Sequence, residues 1–304
     1  MQKVLDGAVL AAAIKQEVAG EVGQLAARGI RPGLAAVLVG NMAASEIYVR
    51  NKVQACAELG IYSDLITPPA EISTGQMLDV IATLNGRADI DGILIQLPLP
   101  AHVDTKALLD AVDPAKDVDG FHPANAGRLL AGRPALVPCT PAGVIEILKR
   151  SEIPIAGQHA VVVGRSDIVG KPVALLLLHQ NATVTICHSK TRELDAITRQ
   201  ADILVAAIGR AGFITPQMVK PGATLIDVGI NRLTTRAEFD RFFKGDAKRE
   251  AAFAKRGSTI VGDIDPRAFE LAGAYTPVPG GVGLLTIAML MANTVCAARL
   301  RRGL

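Results

Sequence analysis

Tyr48 and Lys52, in the segment SEIYVRNK (45–52), could form an acid–base pair. Positions four apart share one face of a helix, so a phenol and an amine would lie side by side. Burial or half-burial penalises the charged form of a lysine, which lowers its pKa and lets the neutral amine accept a proton. The neighbouring phenol could fix the amine by a hydrogen bond. The same spacing equally suits a tyrosine packed at a helix boundary and a lysine whose stem snorkels over apolar surface. On the expected helix Val49, Val53, Cys56, Ala57 and Gly60 make an apolar stripe, with Tyr48 and Lys52 along one edge.

A second candidate is the glycine-rich stretch VVVGRSDIVGKP (161–172), in which Gly164, Ser166 and Gly170 form a G-x-S-x-x-x-G loop. Glycine there allows a tight turn and lets a phosphate approach the backbone N–H groups at a helix start. A strand–glycine–helix turn also serves plain packing, but βαβ surroundings favour a nucleotide. An NAD site usually places a carboxylate about 20 residues after the first glycine. This chain has His188, Ser189 and Lys190 in that region, and Arg165 in the loop itself. A guanidinium with a hydroxyl suits a 2′-phosphate better than a free diol, so the expected cofactor is NADP. Lys190 reads equally well as a solvated surface residue.

These residues need a scaffold, and the apolar pattern supplies one. Short apolar runs alternate with helical patterns: LAAVLVG (34–40), a helix over 44–59, SDLI (63–66), a helix over 76–84, then DGILIQLPLP (91–100). This rhythm implies a parallel sheet with helices on its faces. Prolines at 134, 138 and 141 mark a join, with Thr140 capping a helix that has Pro141 at its first position. A second series follows at 159–164, 182–187, 201–209 and 222–229, and a long apolar stretch to residue 300 reads as a final helix. The charged segment 234–258 reads as a locally helical surface excursion. The fold class is thus α/β with two domains.

Half the 304 residues are apolar, a fifth are charged, and the formal net charge is +3. That describes a soluble globular protein with no whole-chain field to attract nucleic acid. The N-terminal apolar run is short and is followed by Lys15, Glu17 and Glu21, so it reads as an amphipathic helix and not a leader. No apolar run is read as reaching the length of a membrane span. Cys56, Cys139, Cys187 and Cys296 are far apart and lack zinc spacing, which suggests reduced thiols in the cytoplasm. The five histidines show no metal spacing either.

Several segments taken together resemble the bifunctional methylenetetrahydrofolate dehydrogenase/cyclohydrolase family. They are SEIYVRNK (45–52), DGILIQLPLP (91–100), KDVDGFHPANAGRL (116–129), PCTPAGV (138–144), GRSDIVGKP (164–172), IDVGINR (226–232) and TPVPGGVG (276–283). They occur in the family's order and span nearly the whole chain. Short-chain dehydrogenases also carry Tyr-x-x-x-Lys, but their nucleotide loop precedes the pair, and here Gly164 follows it.

The resemblance implies a folate-binding catalytic domain of residues 1–139 plus 280–304, and a Rossmann-type NADP-binding domain of residues 140–279. It implies folate and NADP held in a cleft, a homodimer formed through the nucleotide domain, and a place in one-carbon metabolism and purine biosynthesis. The activity implied is NADP-dependent oxidation of 5,10-methylene-tetrahydrofolate, then hydrolysis of the methenyl product to 10-formyl-tetrahydrofolate. Lys52 matches the family's catalytic lysine, Tyr48 its partner and pterin-stacking surface, and Gln96 the glutamine that hydrogen-bonds the lysine. Asp119 matches the carboxylate that grips the pterin, although DVDG alone suits a turn, and Gln96 alone suits a satisfied core amide. Leu97, Pro279, Gly280, Gly281 and Val282 match folate-side positions. Gly164, Arg165, Ser166, Ser189 and Ile230 match cofactor contacts. No metal is implied.

Departures from the family pattern are Leu284 and Leu285 in PGGVGLLT, GRAG at 209–212, MAAS at 42–45, and a longer 233–260 stretch. The rival readings are a member with dehydrogenase activity only and a non-catalytic dinucleotide-binding protein.

Overall fold

Apolar runs that end in glycine become parallel strands with both faces covered. The computed structural model describes residues 2–40 and 43–304; the side chains at 41–45 and 47 lie outside the description, and with them the MAAS departure. In chain order the first elements are β1 (Lys3–Val4), α1 (Gly7–Ala26), β2 (Gly33–Val37), α2 (Ala43–Leu59), β3 (Tyr62–Ile66), α3 (Thr74–Gly86) and β4 (Gly92–Ile95). Then come α4 (Thr105–Ala111), α5 (Pro123–Leu130), α6 (Cys139–Arg150), β5 (His159–Val163), α7 (Gly170–His179), β6 (Thr183–Cys187), α8 (Leu194–Thr198) and β7 (Ile203–Ala206). The last are β8 (Thr224–Asp227), β9 (Asn231–Leu233), α9 (Arg236–Phe243), α10 (Ala247–Arg256), β10 (Thr259–Val261), β11 (Ala274–Tyr275) and α11 (Val282–Leu300). The helix expected to begin at a Thr140 cap begins at Cys139.

The chain forms two units, Ala11–Cys139 with Thr286–Leu304, and Met1–Leu10 with Thr140–Leu285. The first holds a three-stranded parallel sheet in the order β3-β2-β4. Every residue of β2 and β4 is buried, which explains why both read as unbroken apolar runs. Met77, Ile81 and Leu84 of α3 pack on Val37, Ile93 and Ile95. Lys116, 1% exposed, closes the far end of α3: its ammonium donates to the carbonyls of Leu84, Asn85 and Arg87 at 3.0, 2.7 and 2.7 Å. Those carbonyls lie at the C-terminal end of a helix, where a cation is favoured, while burial pulls the lysine pKa down.

α11 is the apolar final stretch, and by length and composition its 19 residues are enough to cross a membrane, which corrects the expectation that no run reaches that length. Just over half of it is buried inside the fold. The turn that follows is tied down by Arg301 and Arg302, which donate to Asp91 Oδ1 at 2.5 and 2.6 Å; Asp91 is fully buried.

The second unit holds a six-stranded sheet in the order β1-β11-β8-β7-β5-β6, parallel throughout. Residues 1–10 and 280–285, expected with the first domain, group with this sheet. Lys3 and Val4 pair with Ala274 and Tyr275, and the Gly7 N–H donates to the Gly280 carbonyl at 2.9 Å. A two-residue strand has no periodicity to read, so this pairing leaves no local signal. The 234–258 segment is more than a surface excursion. β9 and β10 form an antiparallel hairpin around α9 and α10. Phe239, Phe243, Leu233 and Val261 are buried there, with Phe242 and Phe253 packed against them, so four of the chain's seven phenylalanines build a small separate core. The local signals are strong: a Thr235/Glu238 capping box opens α9, and Gly257 in the left-handed region closes α10.

Candidate active site

Helix α2 turns Val49 and Cys56 into the core, while Ala57, expected in the same stripe, is exposed. Lys52 sits half-buried at the edge, and its Nζ donates to Gln96 Oε1 at 3.0 Å. Gln96 follows directly on β4, and its N–H donates to the Val37 carbonyl at 2.9 Å, so the sheet ladder fixes its backbone. Its Nε2 donates to the Leu97 carbonyl at 2.7 Å, which turns the amide oxygen toward the lysine. Lys52 and Gln96 are 44 residues apart in sequence, and the β2–β4 pairing brings them together. Tyr48 is 42% exposed, and its hydroxyl makes no hydrogen bond among the described residues. The expected Tyr48–Lys52 hydrogen bond is therefore not made; the ring is left open to a ligand.

Asp119 lies in the turn between α4 and α5. An isolated bridge pairs Ile93 with Asp117. The buried Asp117 carboxylate accepts from the N–H groups of Phe121 (3.1 Å) and His122 (2.8 Å) and from Asn125 Nδ2 (2.9 Å). Asn293, on α11, donates to the carbonyls of Val118 and Val137, each at 2.8 Å, and so grips the turn from the other side. Gly120 has φ +71°, and a Cβ there would fall 2.5 Å from Pro138 N. The Asp119 carboxyl accepts no hydrogen bond among the described residues. Burial pushes its pKa up to about 7; Asp117 adds to the rise and Lys52 opposes it. A part-buried carboxyl with no donor is placed to receive donors from outside the chain.

Asp117 and Asn293 escaped the sequence reading. Asn293 left a trace, a lone amide inside the apolar run of α11. Asp117 did not, because KDVDG offers two aspartates and spacing alone does not say which faces inward.

In the six-stranded unit, β5 runs into the Gly164 loop and α7. Gly164 has φ +136°, and its Cβ would fall 2.1 Å from the Ala207 carbonyl oxygen; a Cβ on Gly170 would fall 2.3 Å from that of Gly164. The loop is thus pressed against the next strand with no room for side chains. Ser166 Oγ accepts from the N–H groups of Val169 and Gly170, each at 3.2 Å. Beside the loop lies a cavity of about 550 Å³. Gly164, Arg165, Ser166 and Ser189 line it together with His188 and Arg210. Ile230 is half-exposed between β8 and β9 and is not part of that wall. Lys190 is exposed and also outside it. The lining holds two guanidiniums and no carboxylate, a donor set that fits a dinucleotide with a 2′-phosphate.

Buried carboxylates shape this wall. Asp263 accepts from the N–H groups of Ile208, Gly209 and Arg210 at 2.6, 2.8 and 2.8 Å, which orders the GRAG stretch. Asp227 in turn accepts from Gly229, Asp263 and Ile264 at 2.9, 2.9 and 2.8 Å. Burial raises the Asp227 pKa to about 7 against those donors. Of the 279–282 stretch, Pro279 is exposed and Gly280 half-exposed, while Gly281 and Val282 are buried. Among the described residues no group of three His, Cys, Asp or Glu could hold a metal ion.

Residues 5–119 match the model of the tetrahydrofolate dehydrogenase/cyclohydrolase catalytic domain, and residues 138–302 that of its NAD(P)-binding domain. The chain is 67% identical over 300 residues to the bifunctional protein FolD of Koribacter versatilis, covering 99% of this chain and 98% of that one. It is 61% identical over 304 residues to the same-named protein of Solibacter usitatus, covering 100% and 99%. Among solved structures it is similar to the FolD methylenetetrahydrofolate dehydrogenase/cyclohydrolase of Campylobacter jejuni, with TM-score 0.89, 41% identity and coverage of 99% and 100%. It is also similar to the Trypanosoma brucei dehydrogenase-cyclohydrolase complexed with NADP cofactor and inhibitor, with TM-score 0.88, 36% identity and coverage of 99% and 98%.

Proposed function

The chain belongs to the tetrahydrofolate dehydrogenase/cyclohydrolase family, and from that premise we propose how its residues carry the two reactions. It oxidises 5,10-methylene-tetrahydrofolate with NADP, then hydrolyses the methenyl product to 10-formyl-tetrahydrofolate. NADP, when bound, supplies the hydride acceptor. Gly164, Arg165, Ser166 and Ser189 hold that cofactor, Arg165 toward the 2′-phosphate. Oxidation needs no strong acid, because a folate nitrogen lone pair drives the hydride out; the chain's task in this step is positioning. Asp119 accepts hydrogen bonds from the aminopyrimidine edge and Tyr48 offers its ring face to the pterin; the family resemblance assigns Pro279 and Gly280 to folate binding as well.

In hydrolysis a water attacks the cationic methenyl carbon, and the bond from that carbon to N5 then breaks, N5 keeping the electron pair and the formyl group staying on N10. Lys52 takes the water's proton, directly or through Tyr48. Gln96 keeps the amine aimed. The observation that carries this reading is the 3.0 Å contact of Lys52 Nζ with Gln96 Oε1, made by an amide whose other end is fixed on Leu97.

A cytoplasmic enzyme supplying formyl groups for purine assembly is consistent with four unpaired cysteines. A homodimer through the nucleotide-binding unit is supported by β6, an outer strand of the six-stranded sheet, which leaves Ile186 43% exposed. α11 is read as a core helix and not a membrane span, since most of it is buried and charged residues follow it. One cuvette tests the chemistry: methylene-tetrahydrofolate is added with NADP, then with NAD. Methenyl absorbance should rise and then decay with NADP. No methenyl signal with either nucleotide would refute the activity, and a signal that never decays would refute the hydrolase half.

A further inference from the structure

We propose that the helical insert of residues 234–258 is a brace for the 277–281 loop, with Arg249 as its positioning residue. The proposal rests on the reading above, which assigns that loop to folate binding. Arg249 Nη1 donates to the Ile260 carbonyl and Nη2 to the Val278 carbonyl, each at 3.1 Å. One guanidinium thus ties the insert's own hairpin to the loop. Its planar fork is suited to two fixed acceptors in a way that a lysine is not.

The insert is built to hold this group still. The Arg249 guanidinium lies 4.0 Å from the Phe243 ring centroid, and Phe243 is buried. Phe239 backs Phe243 at 5.8 Å and meets Phe253 at 4.8 Å. Asp246 caps α10 by accepting from the Arg249 N–H at 3.0 Å, and its other oxygen lies 3.8 Å from Nε. Burial draws the Arg249 pKa down, yet arginine remains charged at any working pH.

The loop needs outside support. Pro277 and Pro279 carry no N–H, and Gly280 has φ +110°, so the stretch cannot anchor itself by a regular ladder. Nor is it packed solidly against the insert. A cavity of about 360 Å³ is lined by residues of both, including Phe243, Arg249, Tyr275 and Val278. Arg249 spans the gap.

The test uses the full chain and two readouts. In R249A, amide exchange at Gly280–Gly283 should quicken about tenfold or more, while α9 and α10 keep their protection. KM for methylene-tetrahydrofolate should rise about tenfold, with kcat within about threefold and KM for NADP unchanged. R249K keeps the charge and stem but lacks the fork, so it should restore only part of both effects. Wild-type exchange at 280–283 in R249A overturns the brace. Faster exchange with an unchanged folate KM overturns its role toward substrate. Should R249A also loosen α9 and α10, R249K decides, and wild-type exchange there overturns the brace. The exchange readout needs no turnover, so a wild-type protein inactive on folate would refute the proposed activity and leave the brace to be judged separately.

Discussion

Folate affinity is expected to rise with pH through about 7, because Asp119 must be ionised to receive the aminopyrimidine donors. In the unliganded structure burial holds this carboxyl at about 7. Apparent affinity scales with the fraction in the competent form. At about pH 6 roughly one tenth of the molecules carry the carboxylate, and at about pH 8 roughly nine tenths do. The dissociation constant should therefore be about tenfold weaker at the lower pH, levelling off above about 8. Binding at neutral pH releases a proton.

The same shift has a stability sign. A carboxyl raised from 3.8 to about 7 binds more protons folded than unfolded in that window, so the unliganded protein loses stability as pH rises through it. About three units would be roughly 4 kcal/mol at full weight. Asp119 keeps some surface in water, and screening brings the figure to about 1–2 kcal/mol. Asp119→Asn removes the titration. It should bind folate weakly with no pH slope, and resist urea better than the wild type at about pH 8.5 but not at about pH 5. The assay is calorimetric titration of a non-reacting folate analogue across this range in two buffers of different ionisation enthalpy. A flat wild-type profile, or a slope that survives in Asp119→Asn, would refute the reasoning.

Lys52→Met should abolish hydrolysis of methenyl-tetrahydrofolate and leave some hydride transfer; a mutant that hydrolyses at the wild-type rate sinks the assignment. Gln96→Ala frees the amine and should slow hydrolysis by up to about tenfold, the worth of one hydrogen bond of about 0.5–1.5 kcal/mol, read as decay of methenyl absorbance. Arg165→Ala should weaken NADP about ten- to a hundredfold in fluorescence titration while leaving NAD unchanged, and equal loss for both would argue against a 2′-phosphate contact. Gly262→Ala places a Cβ 1.9 Å from Asp227 Oδ2 and should cost more than about 3 kcal/mol, seen as a lowered unfolding midpoint; an unchanged midpoint would mean that the Asp227 network gives way freely.

Much of the site was legible because its parts are local. Gly164 and Gly170 announce a turn that tolerates no side chain, and the structure shows the backbone that excludes one. The insert was legible as helical from its caps and charges but not as a folded piece with its own core. That required Phe239, Phe243 and Phe253 to converge from two helices.

The chain's own residue pattern settled the parallel α/β class, most strand positions, the glycine turn at 164–170 and the Tyr48–Lys52 edge of α2. Each of these is written in periods of a few residues. Only tertiary structure joined Asp263 to the 208–210 backbone, Asn293 to Val118, Arg249 to Val278 and β1 to β11. Such contacts form when distant segments meet as long loops close, and a buried polar side chain takes its partner from whichever backbone then lies within reach. Residue spacing holds no record of that choice.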